Sequence, residues 1–116
     1  MKGLPEILAR RETEGRCELD LEVPASNPWF EGHFPAMAIL PGVIQLGWAA
    51  HYAHELHGYG PEVTALEQVK FKRPIQPGAR LTLLLKPDPE KRKVRYEYRD
   101  SETVCSSGVL DFGVRP

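Results

Sequence analysis

The residues best equipped for chemistry fall between positions 29 and 43. His33 stands in Gly32-His33-Phe34-Pro35, and an imidazole titrates close to working pH, so it exchanges a proton with little tuning. Pro41-Gly42-Val43 follows, and proline suits the first turn of a helix. The leading N–H groups of such a helix, here those of Gly42 and Val43, have no partner within it and carry the positive end of its dipole. Donors of that kind stabilise an oxyanion without any side chain, and Gly42 lets a ligand approach the backbone closely. A base beside such donors can remove a proton next to a carbonyl. Taken singly, each feature has a plainer reading, a histidine bonded within its loop or an ordinary Pro-Gly helix start. Trp29, Phe30, Phe34, Met37, Ile39 and Leu40 lie around them, either as walls for an apolar chain or as core.

Several elements must position these groups. Cys17 to Val23 alternates apolar with acidic residues, the period of a half-buried strand. Glu14-Gly15 before it reads as a hairpin turn, with Ile7 to Thr13 as partner strand, although LPEILARR suits a short helix equally. Pro24 to Pro41 fits no period, and its prolines forbid a continuous helix or central strand. Long irregular stretches in small domains are functional or disordered, and the aromatic content here argues against disorder. Val43 to Leu56 predicts a helix ending at Gly58 or Gly60. It is apolar on nearly every side, the mark of a buried helix, and Gly47, Ala49, Ala50 and Ala53 keep it thin. Strands are predicted over Val63–Arg73, Arg80–Lys86, Val94–Tyr98 and Thr103–Phe112, with turns at Pro77-Gly78 and Pro87-Asp88-Pro89. One buried helix and a meandering antiparallel sheet make an α+β fold. A single sheet covers such a helix only in part, so a homodimer is expected.

Composition narrows the classes. The 116 residues, 41% apolar, suit one domain over 1–116 with a packed core. The net charge of −1 gives no global reason to expect nucleic acid. No apolar run reaches the ~20 residues of a membrane span, and MKGLPEILARRE lacks the apolar stretch of a secretory signal. Cys17 and Cys105 have no metal-binding spacing; two separate buried thiols in a reducing cytoplasm are expected, with one disulfide as the alternative. His51, His54 and Glu55 do not form HExxH or a comparable set, so no metal and no cofactor is expected. His54, Glu55 and His57 are expected to face water at the helix end.

Gly32-His33-Phe34-Pro35, then Pro41-Gly42-Val43, resembles the GHFP…PGV signature of 3-hydroxyacyl-[acyl-carrier-protein] dehydratases, and Val69 to Gly78 resembles their second signature. The resemblance runs from Arg11 to Phe112. It implies the hot-dog fold, a sheet wrapped around a long central helix, with sites at a dimer interface. It also implies dehydration of a 3-hydroxyacyl thioester, on a carrier protein or coenzyme A, in fatty-acid or polyene-type lipid biosynthesis. His33 is then the base, with Gly42, Val43, Gly47, Trp29, Phe30, Phe34 and Met37 around the substrate. Acidic carrier proteins dock on positive surface in that family, which offers a role for Lys70, Lys72, Arg73 and Arg80; the alternative is a solvated charged face.

One departure matters. The family's helix carries an acid six positions after the proline of PGV, and here that position is Gly47. A glutamine is common one turn later, where this chain has His51. Dehydratase-like relatives tied to aryl-polyene-type lipids carry a Gln and a nearby Trp after PGV, as Gln45 and Trp48 do here. Three possibilities follow. His33 shuttles the proton itself; or His51, sharing the face of Gly47, donates it, within one subunit or across two; or the site binds or isomerises without dehydrating. The rivals to a dehydratase are thus a hot-dog thioesterase and a non-catalytic acyl-binding or partner domain.

Overall fold

The candidate residues hang on one sheet and one helix. The computed structural model describes residues 3–30 and 38–113. Strands β1 (Glu6–Thr13) and β2 (Arg16–Glu22) form the hairpin, turning through Gly15 at φ 68°. A 3-10 turn at Pro28–Phe30 and helix α1 (Gly42–His57) come next, then β3 (Ala65–Phe71), β4 (Arg80–Asp88), β5 (Lys93–Asp100) and β6 (Thr103–Asp111). The six strands form a single sheet in the order β1-β2-β4-β5-β6-β3, every pair antiparallel. This is the α+β hot-dog arrangement. The strand reading of Ile7 to Thr13 is the correct one of the two.

Alternation decides which side faces the helix. Cys17, Leu19, Leu21 and Val23, then Leu81, Leu83 and Leu85, then Val94, Tyr96 and Tyr98 all point inward and are buried. From α1, Trp48, Ala49, Tyr52 and Ala53 join them in one core. Each large apolar side chain so buried contributes roughly 1.5–3 kcal/mol. Burial pushes the Tyr96 hydroxyl up to about 12 and the Tyr98 hydroxyl well above its ordinary value, so both remain neutral at working pH. Cys17 and Cys105 are free, buried and on non-adjacent strands, as two separate thiols require.

The helix ends on Gly58 at φ 75°, whose N–H donates to the His54 carbonyl while Tyr59 N–H donates to Ala53, a glycine-terminated cap. Its start is less enclosed than an all-apolar helix leads one to expect. Val43 is 71% exposed, so one flank of α1 is open.

His57 is a second correction. It is half-buried, with Nε2 wholly enclosed and unpartnered among the described residues. Burial lowers its pKa below the ordinary 6.5, opposed by Glu12 and reinforced by Arg10. The folded protein therefore binds this proton less readily than the unfolded chain, and the stability tied to neutral His57 is lost as pH falls below about 6.5. In Tm measurements between pH 7.5 and 5, His57→Gln should lose less stability than the parent.

The two sheet edges differ. On β1, Arg10 pairs with Glu12, Arg11 forks onto Asp20 at 2.6 and 2.8 Å, and the register shifts between Ile7 and Ala9. On β3, Leu66 and Phe71 are half-exposed, near the exposed Val43.

Candidate functional site

The start of α1 carries the donors. No side chain caps it, and the Pro41 carbonyl accepts from the N–H groups of Ile44 and Gln45 at 3.0 and 3.1 Å. Among the described residues the amides of Gly42 and Val43 have no partner, as the leading N–H groups of a helix do not within it. Gly42 also gives the Phe71 ring its place: a Cβ there would sit 2.6 Å from Phe71 Cζ, so the ring rests on the helix start and a larger residue would displace it.

Behind this start lies an apolar cleft of about 560 Å³, between α1 and the lead-in to β3. Val43, Leu46, Gly47 and Ala50 form one wall, Val63 to Leu66 the other, and Leu110 of β6 closes the end. Ligand sites commonly span ~300–1,000 Å³ with mostly apolar lining. Gly47 and Ala50 matter here because their small size makes the room. The opening is apolar and the donors stand at its end, which suits a chain with one polar head.

Of the expected substrate contacts, Val43 and Gly47 line this cleft and Gly42 adjoins it. Phe30 does not; it is 7% exposed and belongs to the core. Trp29 packs its indole against Gly3, and Leu40 is core while Ile39 is 38% exposed. Leu46, Ala50, Val63 and Leu66 also line the cleft, and Ala50 belongs to the small-residue spacing that the sequence showed in α1. His33, Phe34 and Met37, with Gly32 and Pro35, lie outside the described residues.

His51 is not on the cleft wall; its ring stands edge-on to Tyr52, centroids 5.1 Å apart. Lys70, Lys72 and Arg73 are exposed and form no ion pair among the described residues, whereas Arg80 reaches Glu22 at 3.9 Å. The Lys72 and Arg73 amides both donate to the Cys105 carbonyl, at 2.8 and 3.0 Å. With Phe71 on Gly42, that bond pair holds the basic end of β3 beside the helix start. Among the described residues no cluster could hold a metal ion, and no helix is long and apolar enough to cross a membrane.

The described residues before position 31 and after position 37 are hydrogen-bonded to the rest of the fold. Asn27 Oδ1 accepts from Trp29 N–H at 3.0 Å and Asn27 Nδ2 donates to Gly3 at 2.9 Å. On the other side, Leu40 N–H donates to Ile75 at 2.8 Å. Comparison with known proteins places this architecture. The profile of the ApeI-like family, described as ApeI dehydratase, matches residues 9–109. The chain belongs to the ApeI-like dehydratase family. The 3-hydroxyacyl-[acyl-carrier-protein] dehydratase FabZ of Mannheimia succiniciproducens is 35% identical over 100 residues, covering 76% of this chain and 67% of its own. That of Sorangium cellulosum is 31% identical over 122 residues, covering 91% and 79%. Among solved structures, the dehydratase heterocomplex ApeI:P from Xenorhabdus doucetiae superposes with a TM-score of 0.85 at 32% identity, covering 93% of this chain and 96% of that one. The resemblance read from the two signatures is thereby established for this ApeI-like chain.

Proposed function

We propose that this ApeI-like protein dehydrates a 3-hydroxyacyl thioester to the trans-2-enoyl thioester, in fatty-acid or polyene-type lipid synthesis. The observation carrying this is the family match across residues 9–109, a span that includes His33 and the uncapped helix start. The thioester oxygen binds the Gly42 and Val43 amides, and the acyl chain runs into the cleft past Gly47 and Ala50. His33 removes the proton on C2, negative charge gathers on the thioester oxygen, and the donors hold it. The C3–O bond then breaks, and the hydroxyl leaves with a proton as water. Returning the same proton from His33 balances the step with no second acid, which fits a cleft whose wall carries Gly47. His51 remains the alternative donor, contributed from a second subunit.

The open flank of α1 and the exposed Leu66 and Phe71 favour a dimer through β3. A second copy is the first candidate partner, and a homologous chain, as in the ApeI:P heterocomplex, is the other. Light scattering of the purified chain distinguishes them, since a homodimer has twice the 13.1 kDa of the protomer. Two free, buried thiols suit the cytoplasm.

The test is purified protein incubated with 3-hydroxyacyl thioesters on carrier protein and on coenzyme A, followed by mass spectrometry. Loss of water supports the dehydratase. Release of free thiol indicates a thioesterase, and bound but unchanged ligand a non-catalytic domain. The basic end of β3 supplies a further expectation. Lys72→Glu with Arg73→Glu should raise KM roughly tenfold for the carrier-protein substrate at low salt, with little change for coenzyme A. Equal effects on both would remove the docking role.

A further inference from the structure

One polar side chain on the sheet-facing side of α1 is almost wholly buried. Gln45 is 3% exposed, and each end of its carboxamide is bonded. Nε2 donates to the Leu40 carbonyl at 3.1 Å, and Oε1 accepts from Ser106 Oγ at 2.6 Å. Its backbone carbonyl accepts from the Tyr98 hydroxyl at 2.6 Å. The amide orientation is fixed chemically, because a carbonyl can only accept and so faces the NH₂ group. Leu40 is also the residue whose N–H reaches Ile75. Leu40 and the peptide it forms with Pro41 are therefore held from three sides: by Ile75 at the Leu40 N–H, by Gln45 at the Leu40 carbonyl, and by the helix that Pro41 starts.

This peptide joins the His33 segment to the helix that supplies the oxyanion donors. We propose that Gln45, backed by Ser106, is a positioning residue for the dehydration, fixing Leu40 and with it the start of α1 that carries the Gly42 and Val43 amides. The proposal rests on the dehydratase reading for its kinetic consequence. Small misplacements of reacting groups are costly in rate, whereas losing one hydrogen bond in the core need not unfold the protein. A buried primary amide is also a poor choice for mere packing, since leucine or methionine would fill the volume without two polar atoms to satisfy.

Gln45→Glu tests the role of the donor. A neutral carboxyl reproduces the pattern, its hydroxyl donating to Leu40 and its carbonyl accepting from Ser106. An ionised carboxylate cannot donate and repels the Leu40 carbonyl. The titratable groups packed around it are the Tyr98 hydroxyl and, against that, Tyr96 and Tyr52; burial raises all three, so they stay neutral. Burial likewise raises the pKa of the introduced acid.

Relative to the parent at each pH, kcat of Gln45→Glu is expected to fall roughly 10- to 100-fold at pH 8. It should recover to within about threefold near pH 5.5, with KM little changed throughout. Gln45→Leu should lose kcat without recovery, and amide hydrogen exchange across residues 38–44 should accelerate in it. Parent-like kcat for Gln45→Glu at every pH overturns the proposal. So does an equal, pH-independent loss in both variants, which would make the role one of packing. Should Gln45→Leu fail to fold, Ser106→Ala serves in its place, with a smaller loss of kcat expected. If the parent turns over no thioester, the dehydratase reading fails, and hydrogen exchange still decides the clamp: unchanged exchange in the variant overturns it.

Discussion

His33→Ala is expected to slow water loss by roughly 10²–10⁴-fold, the range for removing a general base. Acyl ligand should still bind, because the cleft and the Gly42 and Val43 amides are untouched. Both quantities are measurable in one preparation, turnover by mass spectrometry and binding by calorimetry. The companion variant His51→Ala separates the two proton routes. If His33 returns its own proton, His51→Ala leaves turnover within a factor of about three, because no step uses it. A loss comparable to that of His33→Ala would instead make His51 the donor. Retained turnover in His33→Ala would overturn the mechanism.

The second large effect concerns the cleft. Ala50→Phe places a ring where the wall is thinnest, and the expected consequence depends on substrate length. Each methylene moved from water into an apolar site contributes about 0.8 kcal/mol. Excluding three or four of them costs about 3 kcal/mol, on the order of 100-fold in kcat/KM. Long-chain 3-hydroxyacyl thioesters should lose that factor, while a four-carbon substrate should be nearly unaffected. A uniform loss across lengths would point to distortion of α1. No loss at any length would put the acyl chain elsewhere.

The sequence disclosed some features better than others, for physical reasons. β2 was legible because Cys17, Leu19 and Leu21 alternate with acids, and that alternation is what the inner face of this sheet selects. β1 was ambiguous because all its residues are exposed, so burial imposes no period on it. The end of α1 was visible at Gly58, since only a residue tolerant of φ 75° closes a helix that way. Its surroundings were not. An apolar helix surface looks the same whether a sheet covers it or a partner does, and Val43 with Gly47 and Ala50 is the uncovered part. The sequence left the role of its aromatics open for a related reason: a ring such as that of Phe30, which lies in the core, is equally good at filling a core or walling a cleft. Gln45 was named only as a family echo, yet it shares the spacing of Trp48, Ala49 and Tyr52. A lone amide on that buried stripe is a signal that a polar group within the core needs it.

The unequal sheet edges bear on how far association can proceed. Growth of a sheet by edge pairing continues indefinitely when both margins accept a neighbour. Here Arg10, Arg11 and Glu12, with the shifted register beside Leu8, discourage pairing along β1, while β3 offers apolar side chains. Two chains meeting through β3, the dimer proposed above, would consume that margin of each and turn outward the β1 margins, where Arg10, Arg11 and Glu12 stand beside the exposed Ile7 and Leu8. Such an assembly would close as a pair rather than extend as a fibre.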